Sequence, residues 1–346
     1  MVESDTAVRN TVAEKTSAHL PEEKMIVAPL PRPNLVSLML EIMIGCNLKC
    51  ALCNVDKLKH RFLSVEKIEE IINKLPTLQR IVILGHGEPL LHPEWLKIME
   101  VIKRFQLKMH MVTNGMLWTD EKIMALPPQT IVQFSIDSFR HDIYAAMRPR
   151  GDLVRVLGNL KRLAELRSDV IIGIQSLITK QTELYLEEIG SFCRQFGFDF
   201  NVIYPGTTKE TYKEFYPERP HYLKNYTAPK GCAEPFTSVV VGIDGEIYPC
   251  CYMYGSLNKE KPGDKHIEEM VEGKINCVNA GEYRLGNIYV DDVYKIWNDK
   301  TMRSVRNAIY YSQNPTATYQ ELRNSTDLEN GHGYCAMCAL RWGKLC

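Results

Sequence analysis

The sequence lacks the features that would assign it to a membrane, to secretion or to a nucleic acid. Lys and Arg total 42 residues, and Asp and Glu also total 42, so the formal net charge is zero. No basic run offers a footprint for a phosphate backbone, and no stretch reaches the ~20 apolar residues that span a bilayer. The start, Met1–Thr6, has neither the basic nor the apolar segment of a signal peptide. We therefore expect no nucleic-acid partner and no membrane partner.

The cysteines also argue against a disulfide framework. The chain has 11 of them, an odd number, and no secretory signal. In such a chain, cysteines more often serve metal binding or catalysis than disulfide bonds. The expected compartment is a reducing cytoplasm.

The chain of 346 residues is long enough for two domains. Residues 1–34 are polar and then proline-rich, which predicts an N-terminal arm. Residues 35–225 form the first predicted domain, in which strand-like and helix-like segments alternate, with a Tyr- and Pro-rich linker from about 205 to 231. Residues 226–346 form a second, smaller α+β domain, where Asp244-Gly245 predicts a hairpin turn.

The alternation of the first domain predicts a parallel sheet covered by helices, curved or barrel-like. Active residues of such a fold lie in the loops at the carboxyl ends of the strands. Helices are expected near 64–75, 93–105, 120–126, 151–168 and 183–196. The predicted strands are Val36–Met43, Arg80–Leu84, Lys108–Thr113, Ile131–Ile136, Val170–Ile178 and Phe200–Tyr204.

Three cysteines follow the first predicted strand with the spacing Cys-x3-Cys-x2-Cys, namely Cys46, Cys50 and Cys53. Three thiolates at this spacing can hold three irons of an iron–sulfur cube. No fourth cysteine lies in the run, so one iron is left open for chemistry. A zinc site would need four ligands in paired knuckles, and a bacterial ferredoxin would have a different first gap with the fourth cysteine nearby.

A second set of cysteines lies in the last third of the chain. Cys335-Ala-Met-Cys338 has the spacing of a metal knuckle, and the predicted hairpin would bring Cys232 and Cys250 towards it. These four thiolates could hold zinc or a second iron–sulfur cluster. The cluster is favoured because the first site already implies cluster loading. Cys193, on a predicted helix, is interpreted as an inert core residue.

The cysteine triplet, with the apolar Leu52 before its last member, resembles that of the radical S-adenosylmethionine (radical SAM) superfamily. Gly85-His-Gly87-Glu88-Pro89, after the second strand, is similar to the Gly-Gly-Glu-Pro motif of that family. The resemblance implies that the backbone of this segment and Glu88 hold the methionine amino group. His86 stands where the motif has its first glycine.

Further loops resemble cofactor-contacting segments of the same family. Asn114 follows the third strand, and Ser135 and Asp137 follow the fourth. Arg148 resembles the arginine that pairs with the methionine carboxylate. Together these features imply a partial (β/α)6 barrel that binds a 4Fe–4S cluster and S-adenosylmethionine.

The last third resembles the SPASM and twitch extensions of the superfamily, because Gly245-x4-Cys250 is the motif that these domains carry. The resemblance implies one auxiliary 4Fe–4S cluster, held by the four cysteines of the second set. A full SPASM domain would have further cysteines after Cys338, but only Cys346 remains. Of two interpretations, a spare ligand and a frayed terminal thiol, the second is favoured. Cys277 is given no role.

The resemblance implies an enzyme in which a 5′-deoxyadenosyl radical takes a hydrogen atom from a substrate C–H. The first hypothesis is modification of a ribosomally synthesised peptide by epimerisation, crosslinking or backbone excision. The second is a small-molecule dehydrogenase or epimerase of the aminoglycoside type, and the third is a non-catalytic carrier of electrons with two clusters. The expected partners are a peptide or small-molecule substrate, a reductant such as flavodoxin or ferredoxin, and, for a peptide, a separate recognition protein.

Cys251 directly follows Cys250. Neighbouring residues on a strand point to opposite faces, so the two are not expected to bind the same cluster. Three interpretations of Cys251 stay open: a buried neighbour, an alternative cluster ligand, or a donor of a hydrogen atom to the substrate radical, as in radical epimerases.

Overall fold

The computed structural model describes residues 33–53, 59–203, 215, 234–251, 254, 266–271, 274–279 and 284–311. The strands in these residues are β1 (Ser37–Glu41), β2 (Met43–Ile44), β3 (Arg61–Phe62), β4 (Arg80–Leu84), β5 (Lys108–Thr113), β6 (Ile131–Ser135), β7 (Ile171–Leu177), β8 (Asp199–Ile203), β9 (Ser238–Val241), β10 (Glu246–Tyr248), β11 (His266–Val271), β12 (Lys274–Asn279) and β13 (Gly286–Asn287). The α-helices are α1 (Val65–Asn73), α2 (Trp95–Arg104), α3 (Asp120–Ala125), α4 (His141–Met147), α5 (Leu153–Leu166), α6 (Leu186–Phe196), α7 (Glu234–Thr237), α8 (Val293–Trp297) and α9 (Lys300–Tyr311).

Six parallel strands form the main part of one sheet, in the order β1-β4-β5-β6-β7-β8. Helices lie between successive strands along the chain, as in a (β/α)6 unit. Strand β1 is buried along its whole length, as expected for a parallel strand covered on both faces. Helix α1 buries Ile68, Ile71 and Ile72, the stripe that three- and four-residue spacing places on one face. The predicted α/β barrel fold is confirmed.

The predicted bounds agree closely where apolar runs are sharply delimited. Strands β4 and β5 have the predicted limits, and the other four strands of this set differ from theirs by a few residues. Helix α4 was not predicted. It is short, its N-cap residue Arg140 makes no side-chain capping bond, and it buries only Tyr144 and Met147. These two buried positions give too weak a periodicity for the helix to be recognised from the sequence.

The sheet continues into the last third of the chain. Strand β9 pairs parallel with β1, on the edge opposite β4, and β10 and β13 follow in antiparallel order. The hairpin predicted at Asp244-Gly245 joins β9 and β10, and Gly245 has a φ of +85°. Strands β11 and β12, which were not predicted, form a separate two-stranded antiparallel sheet.

Several predicted features lie outside the described residues. They are residues 1–32 of the arm, most of the 205–231 linker, and Cys232, Cys335, Cys338 and Cys346. The proposed domain limits therefore stay predictions. In the part of the chain that the structure describes, no helix is both long and apolar enough to cross a membrane.

Candidate functional site

The candidate site lies at the edge of the sheet where the parallel strands end. The cysteine loop, residues 45–53, follows β1 and β2, and the Glu88 segment, residues 85–89, follows β4. Residues 114–115 follow β5, and residues 136–138 follow β6. Parallel strands bring their carboxyl ends to one edge of the sheet. Four sequence-predicted segments therefore lie side by side.

Backbone pairing joins the cysteine loop to the Glu88 segment. The amide of Gly45 donates to the carbonyl of His86 at 2.8 Å, and the amide of Glu88 donates to the carbonyl of Gly45 at 3.0 Å. Gly45 and Gly87 form a parallel β-bridge. A Cβ atom on Gly87 would lie 2.7 Å from the carbonyl oxygen of Gly45, so only glycine fits this close approach.

The first two cysteines of the triplet are half-buried. Sγ of Cys46 accepts a hydrogen bond from the amide of Leu48 at 3.4 Å, and Nδ2 of Asn114 lies 3.6 Å from it. Nη1 of Arg148 lies 3.9 Å from Sγ of Cys50. Burial raises the pKa of Cys46 to about 11, and burial also raises the pKa of Cys50. Both sites thus favour the neutral thiol unless a cation such as iron stabilises the thiolate.

Cys53 is exposed, and the five residues after it lie outside the described part of the chain. Among the described residues, no three His, Cys, Asp or Glu side chains are grouped closely enough to hold a metal ion. In a four-iron cluster each cysteine binds a different iron, so its ligands stand further apart than those of one ion. Three thiols on one loop, beside the donors Arg148 and Asn114, fit a cluster better than a single ion.

Glu88 is almost fully buried, with 2% of its surface exposed. Its Oε1 accepts from the hydroxyl of Thr113 at 2.7 Å and from the amide of Leu90 at 3.3 Å, and its Oε2 accepts from the amide of Asn114 at 2.7 Å. Burial raises the pKa of Glu88, while the hydrogen bonds act in the opposite direction. The carboxylate thus fixes the loop after β5, whose Asn114 reaches Cys46.

Arg148 and Asp137 form a buried ion pair. Nε of Arg148 lies 2.7 Å from Oδ2 of Asp137, and the amide of Leu177 donates to Oδ1 of Asp137 at 2.9 Å. Although burial lowers the pKa of Arg148, the adjacent carboxylate raises it above the ordinary value. The amide of Ala51 donates to the carbonyl of Met147 at 3.0 Å, which fixes the cysteine loop on the end of α4.

The other residues of the predicted cofactor set lie around this centre. Leu52 is half-buried in the turn that the hydrogen bond from the amide of Cys53 to the carbonyl of Cys50 closes at 3.1 Å. Gly85, with a φ of +134°, begins the Glu88 segment, and Ser135 is half-buried at the end of β6. The roles predicted for all these residues stay predictions.

The structure corrects one argument about the second cysteine set. The sequence placed Cys250 at the end of a strand, but β10 ends at Tyr248. The rule of opposite faces therefore does not apply to Cys250 and Cys251. Cys250 is buried, and the thiol of Cys251 donates to Oε2 of Glu234 at 3.2 Å. Cys193 lies in the core, as expected, where burial raises its pKa to about 11.

Sequence reasoning missed Glu41, the last residue of β1. Its side chain is fully buried, and its carboxylate accepts from the amide of His86 at 2.9 Å and from the amide of Ile243 at 3.2 Å. The available signal was one acidic residue inside an otherwise apolar strand, since Glu is almost never fully buried without partners.

Comparison of the sequence with protein-family models gives two matches. The model of the radical SAM superfamily matches residues 40–193, and that of the SPASM iron–sulfur cluster-binding domain matches residues 232–339. Together the two matched regions cover well over half of the chain.

Relatives and a solved structure agree with these matches. The tungsten-containing aldehyde ferredoxin oxidoreductase cofactor-modifying protein of Pyrococcus furiosus is 24% identical, over 84% of this chain and 88% of its own length. The antilisterial bacteriocin subtilosin biosynthesis protein AlbA of Bacillus subtilis is 21% identical, over 87% of this chain and 66% of its own. Streptococcus suis SuiB, in the crystal structure bound to precursor peptide SuiA, has a TM-score of 0.56 at 17% identity, covering 78% of this chain and 65% of that one.

The fold, the triplet and the two family matches lead to one assignment. Such proteins bind a 4Fe–4S cluster and S-adenosylmethionine in the barrel and an auxiliary iron–sulfur centre in the SPASM domain. The chain is a member of the radical SAM superfamily, an enzyme with a SPASM domain at its C-terminal end.

Proposed function

We propose that this enzyme modifies a ribosomally synthesised peptide, by epimerisation, crosslinking or backbone excision. The observation that carries the proposal is the similarity to AlbA, which extends over 87% of the chain and is named for the biosynthesis of a bacteriocin. SuiB, which has been crystallised with a precursor peptide, supports it as a fold neighbour.

A second candidate is modification of a small molecule. The Pyrococcus furiosus relative is named for modifying a cofactor, and the similarity covers 88% of that protein. This candidate includes the dehydrogenase or epimerase chemistry that the sequence suggested. The third hypothesis, a non-catalytic electron carrier, does not explain Glu88 and Arg148, because an electron carrier does not need to bind the methionine moiety of S-adenosylmethionine.

The residues of the barrel site have separable tasks. Cys46, Cys50 and Cys53 would hold three irons of the cluster, leaving one for S-adenosylmethionine. Glu88 would receive the methionine amino group, and Arg148 the methionine carboxylate. The bound cluster and S-adenosylmethionine together supply the 5′-deoxyadenosyl radical that takes a hydrogen atom from the substrate.

The remaining polar groups support these tasks. Thr113 and the amide of Asn114 keep the carboxylate of Glu88 in place, and Asp137 orients the guanidinium of Arg148. Leu52, Gly85 and Ser135 complete the proposed lining of the cofactor pocket. In such an enzyme the protein brings a substrate C–H within reach of the radical and excludes other hydrogen donors.

Radical SAM enzymes need a reductant, and we propose flavodoxin or ferredoxin as the electron donor. A peptide substrate would bind directly or through a separate recognition protein. We place the enzyme in the reducing cytoplasm, because oxidation would remove the free thiols on which cluster loading depends.

The substrate class is testable with reconstituted, reduced enzyme under anaerobic conditions. With S-adenosylmethionine and a short precursor peptide encoded beside the gene, mass spectrometry should show a modified peptide and stoichiometric 5′-deoxyadenosine. A peptide of the same composition in scrambled order is the control and should stay unmodified. If only an aminoglycoside-type alcohol or another small molecule is turned over, the second candidate replaces the first.

The cluster count follows from the two cysteine sets. We expect two 4Fe–4S clusters, about eight irons per chain, with Cys232, Cys250, Cys335 and Cys338 as ligands of the auxiliary cluster. Replacing Cys46, Cys50 and Cys53 by Ala should leave about four irons, because only the barrel cluster is lost. Iron analysis and Mössbauer spectroscopy measure both values. Saturation of the wild type at about four irons would contradict the auxiliary cluster.

The pairing of Gly45 with Gly87 gives a third prediction. A Cβ in Gly87→Ala meets two backbone oxygens, that of Gly45 at 2.7 Å and that of Met43 at 3.0 Å, so the Glu88 segment must shift. A displacement of this kind should slow formation of 5′-deoxyadenosine by about 100-fold. Gly158→Ala is the matched control, because nothing lies within 4 Å of its added Cβ in α5. Equal rates in the two variants would remove Gly87 from the site.

Cys251 is proposed as the hydrogen donor of an epimerase. Wild-type enzyme in deuterated water should then place deuterium in the product through the exchangeable thiol. Cys251→Ala should keep both clusters and 5′-deoxyadenosine formation but lose the epimerised product, whereas the core variant Cys193→Ala should keep it. Loss of about four irons in Cys251→Ala would make the residue a ligand. Normal turnover would favour a dehydrogenase or a crosslinking reaction.

A further inference from the structure

The carboxylate of Glu41 is the least expected charge in the described core. It is fully buried, and a buried carboxylate is tolerated only when hydrogen-bond donors replace its lost hydration. The amide of His86 donates to Oε1 at 2.9 Å, and Nδ1 of the same residue also lies 2.9 Å from Oε1. The amide of Ile243 donates to Oε2 at 3.2 Å, and the phenol of Tyr254 is a further partner.

These partners belong to two distant parts of the chain. His86 immediately precedes Gly87 and Glu88, the segment proposed to hold the methionine amino group. Ile243 and Tyr254 lie on either side of Cys250, and the amide of Tyr254 donates to the Cys250 carbonyl at 3.2 Å. Glu41 itself lies five residues before Cys46. One carboxylate therefore joins the cysteine loop, the Glu88 segment and the region around a proposed ligand of the auxiliary cluster.

The departure from the Gly-Gly-Glu-Pro motif has a physical reason at this point. A glycine at position 86 could donate its amide to Glu41 but could not supply the second contact from an imidazole. Gly85 makes room for the carboxylate, since a Cβ there would lie 2.5 Å from Cγ of Glu41. Gly85 thus leaves space for the side chain of Glu41, and His86 binds its carboxylate.

Ring packing strengthens the link between the two parts. The rings of His86 and Tyr254 have centroids 5.3 Å apart, and the ring of Tyr248 lies 5.5 Å from that of Tyr254. Tyr254 is only 1% exposed, so its ring cannot move without displacing its neighbours. Burial, together with the Glu41 carboxylate, raises the pKa of Tyr254 well above its ordinary value, which keeps the phenol a donor.

We propose that Glu41 is a positioning residue that couples the hairpin region around Cys250 to the S-adenosylmethionine segment, through Tyr254 on one side and His86 on the other. The inference rests on the proposed role of the Glu88 segment. The coupling is reciprocal: S-adenosylmethionine changes the surroundings of Cys250, and changes around Cys250 alter the affinity for S-adenosylmethionine.

The test is a double-mutant cycle on full-length, anaerobically reconstituted enzyme without substrate, with the dissociation constant of S-adenosylmethionine as the readout. Glu41→Gln should weaken binding about tenfold, within the usual range of coupling between sites. Tyr254→Phe, which removes one hydroxyl, should weaken it several-fold. The double variant should bind no more weakly than Glu41→Gln alone, because both changes break the same link.

Tyr248→Phe is the matched control. Tyr248 ends β10, is buried and packs against the Tyr254 ring, but of these two phenols it is that of Tyr254 that hydrogen-bonds Glu41. Tyr248→Phe therefore removes a buried hydroxyl near the carboxylate without removing that hydrogen bond. It should leave the dissociation constant unchanged.

Two further readouts separate positioning from general stability. Iron content and the unfolding midpoint should stay close to wild type in Tyr254→Phe, while the change that S-adenosylmethionine causes in the electron paramagnetic resonance signal of the auxiliary cluster should diminish. Unchanged affinity in both Tyr254→Phe and Glu41→Gln, or additive losses in the double variant, would overturn the proposal. Because no substrate is present, these outcomes are independent of whether the enzyme modifies a peptide.

Discussion

The candidate site depends on three carboxylates that the fold buries at the carboxyl edge of the sheet. Glu41 ends β1, Glu88 follows β4 and Asp137 follows β6, and each is almost fully buried. A buried charge without partners costs several kcal/mol, so each carboxylate has to be surrounded by donors. The donors come from neighbouring strand ends and loops, among them Thr113 at the end of β5 and Leu177 at the end of β7, and this requirement restricts how those segments can be arranged. The rigidity that a radical enzyme needs around its cofactor thus originates in the cost of desolvating three acids.

The local part of this architecture could be read from the sequence. Strands β4 and β5 are apolar runs with clear ends, and the cysteine triplet, Glu88 and Asn114 follow strands in order. Parallel topology alone then brings them to one edge. Helix α4 was missed because it buries only two side chains. The predicted strand before Cys250 was too long, because Tyr248-Pro-Cys continues the apolar pattern although the strand ends at Tyr248.

The partners of the site residues could not be read in this way. Arg148 was expected to meet the methionine carboxylate, but nothing in its local sequence indicates the ion pair with Asp137. The bond between Glu41 and the amide of Ile243 joins residues 202 positions apart. Such contacts depend on how strands from both ends of the chain are ordered in the sheet, and periodicity carries no information about that order. The single acidic residue in β1 indicated a special position without indicating its partners.

The place of β9 in the sheet has a consequence for synthesis of the protein on the ribosome. Strand β1 is bonded to β4 on one side and to β9 on the other. While the chain is being made, β4 arrives soon after β1, but β9 emerges only after all the other parallel strands. At typical elongation rates the free edge of β1 then waits on the order of ten seconds for its second partner. An apolar strand with an open edge is a site of mispairing, so a chaperone that covers this edge would protect the nascent barrel during this interval.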